Sequence, residues 1–306
     1  MEILVATEKP FAPIAIRQIR EVTEAAGFKL TVLENYKSRS ELLAAVSTAD
    51  ALIVRSDKVT ADLLDTAKQL RIVVRAGSGY DNLDLESCTA HNVVAMNTPG
   101  QNSNAVAELA FLMMLYQIRG GFSGKSGTEL RQKTLGLHAF GNVGKYVADI
   151  ARGFGMDIYA YDPFVSERVM KNNGAKQCIN VGELYLKCQY ISIHMPSNEI
   201  TKKSVGYDLI KKMPRNAVLV NTARKDLIDE EGLLKIFEER DDISYLSDVE
   251  PDCKAIFEEK YKGRFIFTSR KMGAQTEESN INAGVAAARQ VVEYLNSGKE
   301  KYKLNR

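Results

Sequence analysis

Four cysteines are spread over 306 residues, Cys88, Cys178, Cys188 and Cys253, and no two form a C-x-x-C pair or take zinc-ligand spacing. No metal is therefore expected, and reduced, structural thiols in a cytoplasmic protein are. Charge of one sign is also missing. Lys and Arg number 41 against 39 Asp and Glu, a net charge of +2, and apart from a short basic tail over Lys299–Arg306 they are scattered. Such a chain has no sustained electrostatic footprint for nucleic acid or an anionic membrane. There is no long hydrophobic run. The most apolar stretch, Ala105 to Tyr116, is interrupted by Glu108 and is too short to span a bilayer. The chain enters a strand at Ile3–Ala6, which leaves no room for a signal peptide. Only three histidines are available for acid–base work. His91 falls in a turn, His138 lies inside a strand where an apolar residue is expected, and His194 ends a strand before Met195-Pro196.

Against these absences, 45% of residues are hydrophobic and 26% charged, ordinary for a globular protein. At this length two domains are expected. The first hundred residues alternate strand candidates (Glu2–Thr7, Lys29–Leu33, Ala51–Arg55, Arg71–Ala76, Val93–Asn97) with helical patterns, which implies a parallel, doubly wound sheet. Asn97-Thr-Pro-Gly100 punctuates its end. A mostly apolar helix over about 105–119 follows, then the glycine-rich 120–127. A helix apolar on most faces must be buried, between domains or against a second subunit. Further strands are expected at Tyr190–His194, Ala217–Asn221, Ile243–Ser247 and Arg264–Thr268. A last helix, Asn282 to Leu295, is placed to return to the first module. The division expected is residues 1–98 with 285–306, and 99–284.

The segment Lys133 to Asp162 describes a nucleotide-binding turn. An apolar strand, Leu135 to Phe140, leads into Gly141-Asn142-Val143-Gly144. Helical spacing of Val143, Val147, Ile150, Ala151 and Phe154 follows up to Gly155, and a strand from Ile158 to Tyr161 delivers Asp162. The glycines let backbone amides approach a pyrophosphate at the helix N-terminus. Asp162 stands about 20 residues on, where a carboxylate hydrogen-bonds an adenosine ribose and repels a 2′-phosphate, so the expected cofactor is NAD. Ala139 occupies the place of the first glycine of G-x-G-x-x-G.

Ligands of open α/β sheets bind beyond the carboxyl ends of the strands. Those ends carry Arg55, the segment Arg75-Ala-Gly-Ser-Gly-Tyr-Asp81, His194-Met-Pro196, Asn221-Thr-Ala-Arg224, Asp248-Val-Glu250 and Lys271-Met-Gly-Ala274. Arg75 through Asp84, Asn97-Thr-Pro-Gly100, Met213 through Arg224 and Gly273-Ala-Gln-Thr-Glu-Glu278 together resemble the D-isomer-specific 2-hydroxyacid dehydrogenases over essentially the whole chain. The likeness is greatest to the short, lysine-bearing, phosphoglycerate-specific members. That resemblance implies a flavodoxin-like substrate domain and a Rossmann NAD-binding domain. It implies Arg224, Glu250 and Lys271 as catalytic residues, Arg224 clamping the substrate carboxylate and carbonyl through parallel N–H donors. Lys271 stands where the family usually has histidine. Glu250 stands for its acidic residue before a proline, within a shortened segment.

Arg55 and Arg75 are the expected phosphate contacts, with Ser78 and Gly79 offering amides to the carboxylate. Gly141, Asn142, Val143, Gly144, Asp162, His194, Pro196, Thr222, Ala223, Asp248, Gly273 and Ala274 are expected around the cofactor. The function implied is NAD-dependent oxidation of 3-phospho-D-glycerate to 3-phosphohydroxypyruvate, the entry step of phosphorylated serine biosynthesis, by a homodimer joined through the 105–119 helix and the following glycine-rich arm. Closure of the domains is expected to bring the two arginines over the phosphate. The alternatives are a glyoxylate or hydroxypyruvate reductase and a non-catalytic NAD-sensing protein.

Overall fold

The computed structural model describes residues 1–305, which divide into two compact units: residues 1–102 with 275–305, and Ser103–Ala274. Each is an α/β unit with its own parallel sheet.

The first unit contains strands β1 (Glu2–Thr7), β2 (Lys29–Glu34), β3 (Ala51–Val54), β4 (Ile72–Arg75) and β5 (Val94–Asn97). They pair in the order β2-β1-β3-β4-β5, all parallel. Strands such as Ala51-Leu-Ile-Val54 are buried at every position, because helices cover both faces of the sheet. The helices are α1 (Pro13–Ala25), α2 (Arg39–Val46), α3 (Ala61–Thr66) and α4 (Leu85–Ala90). The order reverses between β1 and β3, so the segments after those strands, around Lys9 and Arg55, flank the switch point.

The second unit opens with α5 (Ser103–Ile118) and continues through β6 (Thr134–His138), α6 (Asn142–Gly153), β7 (Asp157–Tyr161), α7 (Glu167–Asn172), β8 (Lys176–Gln177), α8 (Val181–Lys187), β9 (Tyr190–Ile193), α9 (Tyr207–Ile210), β10 (Val218–Asn221), α10 (Glu230–Glu239), β11 (Ser244–Ser247), α11 (Lys254–Lys260) and β12 (Phe265–Phe267). Its sheet runs β12-β11-β10-β9-β6-β7-β8, parallel throughout. Here the reversal lies between β9 and β6. The first strand stops at His138, two residues before the expected Phe140, because Ala139 turns into the left-handed region at φ 79°.

The chain then returns to the first unit as α12 (Glu277–Ser297), where Ala283, Ala287, Ala288 and Val291 enter the core beside β4 and α1. This helix starts five residues before the expected Asn282. Thr276 caps it by accepting the Ser279 N–H at 3.1 Å, and Glu277 and Glu278 sit favourably in the first turn. The unit boundary accordingly falls at Ala274, ahead of the 284 read from the sequence. Beyond α12, Asn305 extends the edge of the sheet, accepting the Ala95 N–H and donating to the Val93 carbonyl, both at 2.9 Å. Among the described residues no helix is long and apolar enough to cross a membrane.

Candidate active site

The nucleotide turn is built around one carboxylate. Asp162 accepts the Phe140 N–H at 2.8 Å through Oδ2 and the Phe164 N–H at 2.9 Å through Oδ1, which fixes it across from the β6–α6 turn. Ala139 adopts the conformation a glycine would hold there, and its N–H donates to the Tyr161 carbonyl at 2.9 Å. Gly144 must be glycine, since a Cβ would lie 2.7 Å from the Ala139 carbonyl oxygen. Above Gly141 there is open space and no side chain caps α6, leaving the amides of Asn142, Val143 and Gly144 directed at the turn. A cavity of about 310 Å³ adjoins Asp162, lined by His138, Ala139, Tyr161, Phe164, Pro196 and Thr201 among others.

Two histidines stand side by side at the ends of β6 and β9. His138 is buried, with Nδ1 3.2 Å from the Tyr185 hydroxyl, and burial pulls its pKa down to about 4 against the opposing charge of Asp162. His194 is pulled down to about 3, by burial and then by His138, and its Nε2 has no partner among the described residues. Both are therefore neutral at ordinary pH. His138 occupies its expected apolar position as a neutral ring packed edge-on to Tyr185.

After β10 the backbone curls back on Asn221, which accepts the Ala223 N–H at 3.0 Å and donates to the Arg224 carbonyl at 2.8 Å. Two cations then converge: Arg224 Nη1 donates to the Ala223 carbonyl at 3.0 Å, and Lys271 Nζ donates to the same oxygen. Beneath them Asp248 is fully buried. Its Oδ2 accepts the Gly273 N–H at 3.0 Å, and its Oδ1 has no partner among the described residues, nor has the buried Thr222 hydroxyl. Burial raises the Asp248 pKa, while Lys271, the Gly273 N–H and Arg224 oppose the rise. Gly273 allows this approach, since a Cβ there would lie 2.9 Å from Asp248 Oδ2. Glu250 is engaged elsewhere, accepting Lys254 Nζ at 2.6 Å. Asp248 is thus a carboxylate coupled electrostatically to both Lys271 and Arg224.

In the first unit, Arg75 Nε donates to the Arg55 carbonyl at 3.0 Å, so the ends of β4 and β3 are tied together. The Arg75 guanidinium lies over Gly77, in the space a Cβ would fill. Ser78 and Gly79 follow in a bend. Ser78 donates to Asn102 Oδ1 at 2.8 Å, its carbonyl accepts Asn97 Nδ2 at 2.6 Å, and no protein acceptor takes the N–H of Ser78 or Gly79 among the described residues. Asp57 is buried beside Arg55, accepting the N–H of Glu8 at 2.8 Å and the Tyr36 hydroxyl at 2.6 Å.

Residues 113–256 match the family described as D-isomer specific 2-hydroxyacid dehydrogenase, NAD binding domain. Hydroxypyruvate reductase of Thermotoga maritima is 33% identical over 287 residues, covering 87% of this chain and 92% of that protein. The chain belongs to the D-isomer-specific 2-hydroxyacid dehydrogenase family. D-3-phosphoglycerate dehydrogenase of Methanocaldococcus jannaschii is 32% identical over 301 residues, 92% of this chain. The chain spans about half, 54%, of that relative's length. A solved structure of an NAD+-bound 3-phosphoglycerate dehydrogenase from Entamoeba histolytica is 47% identical, with a TM-score of 0.88 over 100% of this chain and 99% of that one.

For a member of this family the second unit fits the nicotinamide dinucleotide on its own chemistry. The glycine turn is open where a pyrophosphate would lie, Asp162 is aimed by two N–H donors, and two buried polar atoms, Thr222 Oγ1 and Asp248 Oδ1, are without protein partners. Asn142 and Val143 form the first turn of α6, and Ala274 closes the unit. The sequence reading placed Asn221 at a strand end without its Asx-turn role, and it missed Phe164 and Thr201 around the cavity.

Proposed function

We propose that the chain catalyses NAD-dependent oxidation of 3-phospho-D-glycerate to 3-phosphohydroxypyruvate and its reverse. The observation that carries this reading is the pair of arginines joined at neighbouring strand ends, Arg75 Nε on the Arg55 carbonyl at 3.0 Å. Two guanidinium groups suit a dianionic phosphate better than a plain hydroxymethyl group. Two relatives described above are named phosphoglycerate dehydrogenases. In this reading Arg224 grips the substrate carboxylate and carbonyl oxygen while the amides of Ser78 and Gly79 assist. Lys271 takes the hydroxyl proton on oxidation and returns it on reduction, and Asp248 holds the charge balance between the two cations. Bound NAD supplies the hydride acceptor. Asp162 holds the ribose, the amides of Asn142, Val143 and Gly144 hold the pyrophosphate, and His194, Pro196, Thr222, Ala223, Gly273 and Ala274 surround the cofactor. Glu250 completes the catalytic group as the acidic partner that keeps Lys271 protonated for reduction.

A homodimer formed through α5 and the glycine-rich arm accounts for Leu112 on the apolar α5 and Phe122 in the arm, 59% and 72% exposed. Four buried free thiols suit the cytoplasm. Purified protein with NADH and 3-phosphohydroxypyruvate tests the assignment, with Arg55→Ala and Arg75→Ala as controls. Loss of phosphosubstrate binding in both variants supports it; indifference in both favours hydroxypyruvate reduction, the activity for which the Thermotoga relative is named.

A further inference from the structure

The Arg55 guanidinium is held at the switch point of the first sheet by neutral groups alone. Its Nη1 donates to the carbonyls of Lys9 (3.1 Å) and Pro10 (2.8 Å), its Nη2 donates to Asn280 Oδ1 (2.6 Å), and its Cζ sits 5.1 Å from the centroid of the Phe11 ring. A guanidinium has five N–H groups. Three are engaged, which leaves one on Nε and one on Nη2 for an oxyanion. The two nearest carboxylates are occupied by other donors: Glu34 by the Phe11 N–H at 2.7 Å, and Asp57 by Glu8, Tyr36 and the Arg55 backbone N–H.

Of the three acceptors, two are backbone carbonyls that no substitution removes. Asn280 is the one side-chain acceptor, and it is itself anchored, Nδ2 donating to the Thr276 carbonyl at 2.8 Å in the first turn of α12. The choice of residue type matters electrostatically. An aspartate would offer the same oxygen but cancel the guanidinium's charge, whereas an amide fixes its direction and leaves that charge for a ligand.

We propose that Asn280 is a positioning residue for phosphate recognition, aiming Arg55 through a neutral hydrogen bond without touching the reacting atoms. The inference rests on the reading of Arg55 as a phosphate contact. The test is a cycle of Arg55→Ala, Asn280→Ala and the double variant, with Asn280→Asp alongside, measuring KM and kcat for NADH-dependent reduction of 3-phosphohydroxypyruvate and of hydroxypyruvate. Asn280→Ala is expected to raise KM for the phosphosubstrate about tenfold, more than it alters kcat, and to narrow the preference over hydroxypyruvate. The double variant should be no worse than Arg55→Ala, since Asn280 acts only through that arginine. Asn280→Asp keeps an acceptor for Arg55 but gives up the Nδ2 donor to the Thr276 carbonyl, and is expected to raise the same KM further by neutralising Arg55. Additive KM effects in the cycle, or wild-type KM in Asn280→Asp, would overturn the inference while leaving the substrate reading in place. An unchanged KM in Arg55→Ala would overturn the substrate reading and this inference with it.

Discussion

Asp248 carries a stability cost that a neutral residue in its place would not. Its pKa is raised by burial, so its favourable contribution is complete below the ordinary carboxylate range and is lost as pH rises through the folded value. A neutral amide avoids that cost, and Asp248→Asn is expected to be more stable than the wild type in urea unfolding at neutral pH while losing turnover. A less stable Asn variant would contradict this. Ala139 is a second residue held at a cost, since φ 79° is unfavourable for any side chain. Ala139→Gly should add roughly 0.5–1 kcal/mol, readable as a shift in the denaturation midpoint at unchanged slope. Lys271 is the residue on which the proposed chemistry depends. Its replacement by alanine is predicted to lower turnover by about 10²- to 10⁴-fold with NADH binding retained, measured by titrating cofactor fluorescence beside the rate. Arg55, Arg75 and Asp162 stand out in the sequence because each lies at or directly after the end of a strand, whereas Lys271 lies four residues beyond β12. The sequence shows the spacing of Glu250 after β11 but not that Lys254 pairs with its carboxylate.

At the scale of elements, β6 and β9 bring two neutral histidines together beside the nucleotide turn. With a folded pKa of about 4 against about 6.5 unfolded, His138 contributes stability that is complete above pH 6.5 and is lost as pH falls toward 4. At pH 5 this amounts to roughly 2 kcal/mol from His138. His138→Leu should flatten the decline in unfolding free energy between neutral pH and pH 5; an unchanged slope would refute the assignment. Most strands were legible because a parallel sheet covered on both faces writes them as apolar runs, as in Val218-Leu-Val-Asn221. The edge strand β8, two exposed residues Lys176–Gln177, leaves no such pattern. The start of α12 was hidden because its first turn, Glu277 to Asn280, is mostly polar, and only the Thr276 cap marks it.

For the whole molecule, the two units have different dependence on distant sequence. The first is completed by residues that arrive after Ala274, with α12 contributing both core alanines and the Asn280 that holds Arg55. The second is continuous from Ser103 and carries the cofactor cradle together with Arg224 and Lys271. If the proposed homodimer forms through α5 and the arm, a charged residue at Leu112 or Phe122 shifts it to monomer in light scattering with the fold of the second unit kept, since both side chains are exposed within it; an unchanged oligomeric state contradicts the proposed interface. The central claim, that Lys271 and Arg224 process a phosphorylated 2-oxoacid, is tested most directly by following NADH absorbance after adding 3-phosphohydroxypyruvate to wild type and Lys271→Ala. The account predicts rapid loss in the wild type and almost none in the variant. Equal rates in both proteins, or no loss in a wild type that binds NADH, would contradict it.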